Sequence, residues 1–242
     1  MRKLFVYFLW TLLFVIVIGT ASAFYAIEQG WIGYMPPIED LQNPINRFAT
    51  QIYSADGKII GTWNYNRENR VLVDYTKLSP SLVQALVATE DERFYEHSGI
   101  DFYALGRAII KRGLLGQKSA GGGSTITQQL AKQLYSEHAN TTLERVLQKP
   151  IEWVIAVKLE RNYTKDEIIT MYLNYFDFLH NAVGIKTASN VYFSKEPIDL
   201  SVNEAATLIG LCKNPSYYNP VRHPDRSRDR RNVVLSQMRK KG

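Results

Sequence analysis

The stretch Glu90-Asp91-Glu92-Arg93-Phe94-Tyr95-Glu96-His97-Ser98-Gly99 decides the fold, because it sets three acidic side chains at the end of a predicted helix. That helix begins at Ser79-Pro80, where serine can cap the first turn and proline is tolerated at the first position. The carboxylates meet the negative end of the helix dipole, an unfavourable place for them. Such crowding is one way to tune a general base for work near neutral pH. Taken alone, the stretch is explained at least as well by a solvated turn in which Glu90 pairs with Arg93.

A glycine-led segment follows at Gly121–Lys132, with three glycines ahead of Ser-Thr-Ile-Thr-Gln-Gln-Leu-Ala-Lys. A glycine run lets the backbone wrap a ligand, and Thr125 opens a helix whose first N–H groups can face an anion. Gln128, Gln129 and Lys132 add donors beside the apolar stripe. A surface loop followed by an ordinary amphipathic helix is the structural alternative.

A third segment, Gln148–Glu160, carries charges on one predicted helical face. Lys149, Glu152, Ala156 and Glu160 share that face by their spacing of three or four residues. The face thus combines a cation, a carboxylate and a small residue that leaves room beside them. An exposed ion pair of little energetic value is the alternative.

The N-terminal stretch 4–27 contains no charged residue and is long enough to cross a hydrocarbon core of about 30 Å. Arg2 and Lys3 precede it, which favours a cytoplasmic N-terminus and an external domain. The triplet 21–23, Ala-Ser-Ala, also fits signal-peptide cleavage, so both alternatives remain open. The predicted organisation is a cytoplasmic tail at 1–3, a transmembrane anchor at 4–27, a linker at 28–48 and one domain at 49–242.

The bulk composition narrows the class of partner. The 242 residues carry a formal net charge of +6, which suits a phosphate-bearing lipid, an anionic membrane surface or nucleic acid. Either interpretation of the N-terminus exports the domain, and export argues against nucleic acid. The single cysteine, Cys212, excludes an intrachain disulfide, and its apolar helical surroundings predict a small core residue.

Most of the remaining chain has helical periodicity. Capping boxes are predicted to open helices at Thr125, Thr164 and Ser201. The exception is Gln51–Ile60, where Asp-Gly between apolar stretches predicts a hairpin, and Arg70–Tyr75 could add a short strand. The predicted fold class is mainly α, with a small N-terminal β hairpin and one transmembrane helix.

Taken in order, these segments resemble glycosyltransferase family 51, the peptidoglycan polymerases. The family's Glu-Asp-x-x-Phe-x-x-His-x-Gly is matched at 90–99, its Gly-Gly-Ser-Thr-Ile-Thr-Gln-Gln-Leu at 122–130 and its Lys-x-x-Glu…Leu-Glu at 149–160. Three positions depart from the pattern. Gln148 stands where arginine is usual, with Arg145 one turn back as a substitute, and Leu179 and Ser194 stand where glycine is usual.

The resemblance implies a lysozyme-like glycosyltransferase fold and lipid II as substrate. Glu90 would deprotonate the acceptor sugar's 4-hydroxyl, which attacks the donor anomeric carbon with inversion and releases undecaprenyl diphosphate. Glu152 would be the second essential glutamate, near that diphosphate. The implied substrate-binding residues are Asp91, Ser124, Thr125, Gln128, Gln129, Lys132 and Lys149. No cofactor is required, although a divalent cation (Mg²⁺ or Mn²⁺) at the diphosphate stays open.

The implied location is the bacterial inner (plasma) membrane, crossed once, with the domain on the outer, periplasmic side. Expected partners are lipid II, the growing glycan strand, the membrane and cell-wall synthesis proteins. Residues 102–118 alternate apolar and basic side chains, a pattern suited to an anionic membrane surface. A core-facing helix with a solvated cationic side is the alternative there.

Two other functions compete with polymerisation. A lytic transglycosylase or lysozyme-type hydrolase would share a helix-borne glutamate, and a non-catalytic scaffold would only bind lipid II. The Lys149/Glu152 pair argues against the first, and both retained glutamates argue against the second. The hairpin and the segment 214–220 favour the N-terminal part of a class A penicillin-binding protein, although no Ser-x-x-Lys box occurs in these 242 residues.

Overall fold

A computed structural model gives the fold of the chain. It describes residues 2–42, 50–57, 59–63, 70–114, 116, 122–136 and 141–241. Within these ranges the protein is mainly helical, as predicted. The α-helices are α1 (Arg2–Glu28), α2 (Ile38–Gln42), α3 (Pro80–Glu90), α4 (Phe102–Ala108), α5 (Ile126–Tyr135), α6 (Thr142–Asn162), α7 (Lys165–Tyr175), α8 (Ile185–Phe193), α9 (Val202–Lys213) and α10 (Pro224–Lys241). A π-helical segment, Ile109–Leu114, continues α4, and 3₁₀ turns form at Tyr75–Lys77, Phe94–Glu96 and Pro197–Asp199.

Side-chain caps begin the predicted helices. The Ser79 hydroxyl accepts from the Leu82 N–H at the start of α3, and Pro80 occupies the first helical position. Thr164 and Ser201 both form complete capping boxes, which confirms those two predictions. Thr125 caps α5 by accepting from the Gln128 N–H. The second contact of a capping box, from the Gln128 side chain back to the Thr125 backbone, is missing because the Gln128 amide donates to the Gly99 carbonyl instead.

Two short strands precede the helical domain. The strands β1 (Thr50–Tyr53) and β2 (Ile59–Trp63) pair antiparallel, with an irregular register between Ile52 and Tyr53. The possible third strand at Arg70–Tyr75 is not formed. Instead, the side-chain amide of Asn174 donates to the Val73 carbonyl (2.9 Å) and its oxygen accepts from the Val73 N–H (3.2 Å). A buried side chain therefore satisfies the backbone groups that a neighbouring strand would have paired.

The core lies between two helical layers. The helix α3 packs against α9 and α10 on one side, while α5 packs against α6 and α7 on the other. Phe94, Tyr172 and Phe178 are its largest fully buried aromatic residues among those described. Cys212 lies in this core, as predicted, and burial raises the pKa of its thiol well above the ordinary value. The thiol therefore behaves as a small apolar group.

The helix α1 is long and apolar enough to cross a membrane, and its side chains are mostly exposed. A signal sequence near an N-terminus passes the same test, so helix length alone does not choose between the two alternatives. Its last turns contact α6: the Phe24 and Trp153 rings stack with centroids 6.4 Å apart, and Ile27 is buried. The apolar helix α1 therefore ends against the helix that carries Lys149 and Glu152.

Two positions at which this chain departs from the family's glycine have a left-handed backbone, the conformation that favours glycine. Leu179 has φ +65° and Ser194 has φ +53°, and both are positions where the family usually has glycine. In this region the Cβ of an L-residue crowds the backbone, at a cost of about 1–2 kcal/mol. Ser194 ends α8, and its N–H donates to the Asn190 carbonyl (2.8 Å). The chain therefore keeps both turns while carrying side chains that strain them.

Replacing Ser194 by glycine should stabilise the protein. The Ser194 side chain is exposed, so Ser194→Gly removes strain without removing a buried contact. We expect the free energy of unfolding to rise by about 0.5–1 kcal/mol after the entropy cost of glycine is subtracted. Urea titration of the protein in detergent micelles measures this change. Ser136→Gly, at the end of α5 where φ is −95°, is the matched control and should lower stability. A decrease in both variants would contradict the strain argument.

Candidate active site

Glu90 is the last residue of α3 and lines a cleft formed with α4 and the loop at 122–125. Its side chain is 14% exposed. One carboxylate oxygen faces Arg230 Nη2 at 3.4 Å, and the other accepts from Gln129 Nε2 at 3.2 Å. The alternative pairing with Arg93 does not occur, since Arg93 contacts Glu96 and Asp101 instead. Glu90 is thus held by α5 and α10 and keeps some access to solvent.

The two neighbouring acidic residues line the same cleft as Glu90, but each carboxylate contacts a different partner. Asp91 is buried, and its oxygens accept from His97 Nε2 (3.1 Å) and from the Ile126 N–H (3.0 Å). Glu92 pairs with Lys241 near the end of α10. Three consecutive acidic residues of one cleft therefore have three different sets of partners, and Glu90 is the one that faces both Gln129 and Arg230.

Gly99 joins the 90–99 segment to α5 and α6. Its carbonyl accepts from Thr125 Oγ1 (2.8 Å) and from Gln128 Nε2 (3.1 Å), and both of these side chains are buried. Its φ is +92°, and a Cβ there would lie 2.9 Å from the Ala156 backbone. Glycine is required for both the conformation and the close approach. The absence of a side chain at Gly99 thus lets the acidic segment lie directly against the backbone of α6.

Glu152 is the centre of a cationic cluster. Its side chain is fully buried, and its oxygens face Lys149 Nζ (2.7 Å) and Arg145 Nη1 (3.1 Å). Lys149 Nζ also lies 3.2 Å from Ser124 Oγ in the glycine-led loop. Arg145 reaches Gln148 as well, at 3.3 Å. The guanidinium absent at position 148 is therefore supplied from one turn back in α6.

Lys132 belongs to the same electrostatic field. Although part of Lys132 is exposed, burial of its ammonium and the nearby Arg145 lower its pKa from the ordinary 10.5. Glu152 acts in the opposite direction, and Lys149 adds to the lowering. Three basic side chains thus surround one buried carboxylate, leaving positive charge available for an anion.

This donor set does not fit a protein-held divalent cation. In the part of the chain that the structure describes, no group of three or more His, Cys, Asp or Glu side chains could hold a metal. Mg²⁺ and related ions need several oxygen ligands, whereas Glu152 offers both of its oxygens to cations. A divalent cation held mainly by the diphosphate of the substrate stays a prediction.

Glu160 matches the family motif, and its contacts hold neighbouring helices together. It accepts from Thr127 Oγ1 (2.6 Å) and from Lys165 Nζ (2.8 Å). Lys165 also donates to the His97 carbonyl (2.6 Å) and lies over the Phe94 ring. These contacts tie α6 and α7 to the segment that follows Glu90.

The predicted membrane-facing stretch is apolar and exposed where the structure describes it. Phe102, Tyr103, Ile109 and Ile110 are 55–74% exposed along α4 and the π-helical segment. Parts of the 112–121 stretch lie outside the described residues. Four large apolar side chains on one short surface favour a membrane or partner contact over a core-facing helix.

Sequence reasoning missed Arg230 and Tyr172. Arg230 lies in a polar stretch of α10 where basic residues are frequent, so no spacing distinguishes it. The Tyr172 hydroxyl donates to Gln129 Oε1 (3.1 Å), and burial raises its pKa well above 10, which keeps the phenol protonated. Gln129 therefore has a fixed amide orientation, with its nitrogen toward Glu90. Only the buried, helical position of Tyr172 was visible in the sequence.

The chain is similar to known proteins over most of its length. A family model described as Transglycosylase matches residues 56–239. Penicillin-binding protein 1F of Bacillus subtilis (strain 168) is 45% identical over 175 residues, which cover 72% of this chain and 24% of that protein. Penicillin-binding protein 1A of Escherichia coli (strain K12) is 38% identical over 236 residues, 98% of this chain and 27% of that protein.

Among solved structures, the 2.6 Å crystal structure of penicillin-binding protein 1A from Haemophilus influenzae covers 79% of this chain and 18% of that one. Its sequence identity is 26% and its TM-score is 0.41. The chain spans about a quarter of the length of the curated relatives it matches. Because the family model covers most of the chain, the resemblance seen in the motifs is confirmed: the chain belongs to the transglycosylase family of peptidoglycan glycosyltransferases, glycosyltransferase family 51.

Proposed function

We propose that this chain polymerises lipid II into glycan strands and releases undecaprenyl diphosphate. The proposal rests on one observation: the site contains both a carboxylate that can act as a base and a separate cluster of cations. Glu90 and Ser124 line the same cleft, and Lys149 Nζ of the cationic cluster lies 3.2 Å from Ser124 Oγ. A transfer between two sugars needs a base for the acceptor and positive charge for a departing diphosphate.

Glu90 acts as the general base. Its carboxylate takes the proton of the acceptor 4-hydroxyl while that oxygen attacks the donor anomeric carbon from the face opposite the diphosphate. The new C–O bond forms as the bond to the diphosphate breaks, so the configuration at carbon inverts. Gln129 and Arg230 each contact one carboxylate oxygen, which limits rotation of the base.

Glu152, Lys149 and Lys132 serve the leaving group. The diphosphate gains negative charge as it departs, and the ammonium groups of Lys149 and Lys132 stabilise that charge together with the Arg145 guanidinium. Glu152 acts as the second essential glutamate by holding Lys149 and Arg145 in place. The Ser124 hydroxyl, 3.2 Å from Lys149 Nζ, would donate to the same phosphate oxygens.

Asp91, Thr125 and Gln128 have a positioning role. All three side chains are buried, and their contacts join the 90–99 segment to the start of α5. Without these contacts the base and the loop at Ser124 would not share one cleft. We expect their substitution to affect catalysis through geometry.

The substrate is lipid-borne, so the site must lie at a membrane. We propose that α1 anchors the chain once in the bacterial plasma membrane, with Arg2 and Lys3 inside and the domain on the outer side. The exposed apolar face of α4 would rest on the same surface. The partners are lipid II, the growing strand, the membrane and other cell-wall synthesis proteins.

A hydrolase or a binding scaffold fits these observations less well. A hydrolase activates water and cleaves finished glycan, a reaction with no diphosphate to release and no use for Lys132, Arg145 and Lys149. A scaffold needs no polar partners arranged around Glu90. Release of soluble sugar fragments from finished glycan by the purified protein would favour the hydrolase.

Glu90→Gln should abolish polymerisation. The amide keeps the size of the side chain but cannot accept the proton, so we expect the rate to fall by about 100- to 10,000-fold. Initial rates of lipid II polymerisation in detergent measure the effect. Glu196→Gln, a half-exposed carboxylate that pairs with Lys186, is the control and should retain full activity. Equal rates for Glu90→Gln and the parent would disprove the assigned base.

Lys132→Arg should extend activity to higher pH. Because the pKa of Lys132 is lowered, its ammonium loses its proton at a lower pH than an ordinary lysine, and diphosphate stabilisation weakens as pH rises. A guanidinium keeps its charge throughout this range. Rate profiles from neutral to alkaline pH should therefore show the alkaline decline displaced upward in Lys132→Arg. The control is Lys195→Arg, remote and paired with Glu204. Identical declines in Lys132→Arg and the parent would exclude Lys132 as the titrating group.

A further inference from the structure

A second cleft lies between the end of α1 and the middle of α6. Phe24 and Glu28 line it from α1, and Trp153 and Lys158 line it from α6. Its volume is about 340 Å³, which falls within the range of small-molecule sites, about 300–1,000 Å³. Among the described residues it shares no lining side chain with the cleft that contains Glu90. The α1–α6 cleft is therefore a separate candidate binding site.

The length of α1 sets the depth of this cleft in the proposed membrane. The charge-free stretch 4–23 is helical throughout and follows Arg2 and Lys3. At about 1.5 Å per residue it extends about 30 Å, which is the thickness of the hydrocarbon core of a bilayer. Phe24 and the residues after it therefore lie where the lipid head groups begin.

Aromatic residues at the end of α1 indicate the same depth. Gly30, with φ +74°, ends the helix: its N–H donates to the Ile27 carbonyl (3.0 Å), and the Trp31 N–H donates to the Ala26 carbonyl (2.9 Å). This turn sets the Trp31 ring edge-on against Tyr25, with centroids 5.9 Å apart. Both rings are exposed, and exposed Trp and Tyr at the end of a membrane helix are typical of the head-group region.

The lining of the α1–α6 cleft combines an apolar surface with an excess of positive charge. The Phe24 and Trp153 rings are nearly parallel, with an interplanar angle of 9°, and form an apolar face. The charged side chains that line the cleft, among the residues the structure describes, are Lys158, Arg161 and Glu28. Lys158 Nζ lies 3.5 Å from the Glu28 carbonyl, so this ammonium is held at the end of α1. A ligand with an apolar chain and an anionic head complements both parts of the lining.

We propose that the α1–α6 cleft binds one anionic phospholipid of the bilayer, phosphatidylglycerol. Its phosphate contacts Lys158 and Arg161, and its acyl chains pack against the stacked rings of Phe24 and Trp153. This inference goes beyond the proposed function: it requires α1 to lie in a bilayer, and it requires no glycosyl transfer. Because α6 also carries the cationic cluster around Glu152, a lipid held between α1 and α6 fixes that helix relative to the membrane surface.

Fluorescence quenching of Trp153 by brominated lipids tests the site. The substitutions Trp10→Phe, Trp31→Phe and Trp63→Phe leave Trp153 as the one tryptophan of the full chain. This protein is placed in nanodiscs of phosphatidylcholine that contain a small fraction of either phosphatidylglycerol or phosphatidylcholine brominated near the head-group end of the acyl chains. Phosphatidylglycerol should quench Trp153 at a fraction about tenfold lower, because basic side chains near a lipid surface favour an anionic head group. Equal quenching by the two lipids would overturn the proposal, whether or not the protein polymerises lipid II.

A matched pair of double variants separates this site from general attraction to an anionic bilayer. In the single-tryptophan protein, Lys158→Gln with Arg161→Gln should remove the preference for phosphatidylglycerol. The control is Arg228→Gln with Lys240→Gln, two exposed residues of α10 that do not line the cleft. It removes the same net charge and should keep the preference. A preference that survives in the first variant, or that weakens equally in both, would overturn the proposal.

Discussion

The Asp91 carboxylate is the contact on which the rest of the site depends. It accepts from His97 and from the first N–H of α5, so it joins the end of α3, the 91–99 turn and the glycine-led loop. His97 Nδ1 accepts in turn from the Gly99 N–H at 3.3 Å, which leaves the ring proton on Nε2, facing Asp91. A buried carboxylate at a helix N-terminus is favoured by the helix dipole and by these hydrogen bonds. Because Asp91 turns inward, Glu90, one residue earlier, is directed into the cleft.

The two proposed catalytic glutamates carry the same carboxylate group, but their surroundings suit them to different roles. Glu90 contacts one amide and one guanidinium and keeps an opening to the cleft. Glu152 is sealed from solvent and bound by two cations, and loss of both would leave a buried charge at a cost of about 3–5 kcal/mol. The first arrangement suits proton transfer, and the second suits the fixing of positive charge.

Much of this arrangement could be predicted from the sequence, because its elements are local. Helix starts at Ser79, Thr164 and Ser201 depend on side chains within one turn, and the family motifs predict Glu90 and Glu152 as the catalytic pair. The prediction failed where pairing is long-range. Val73 was expected in a strand, but its partner is Asn174, 101 residues away, and that contact leaves no periodic signal. The acidic residues at 90–92 do line one cleft, but the partner of each carboxylate comes from a different segment and could not be predicted.

Arg230 shows why the contacts of Glu90, the proposed base, could not be predicted from sequence motifs alone. It lies 140 residues from Glu90 and reaches it because α10 packs on α3 and α9. Val234 buries the apolar side of α10 one turn further on, and Gly210 of α9 leaves room for the Arg230 stem, since a Cβ there would lie 3.2 Å from its Cγ. The same apolar packing that stabilises α10 therefore sets the distance between guanidinium and carboxylate. Any change that shifts α10 also alters the surroundings of the base, so stability and catalysis are coupled at this helix pair.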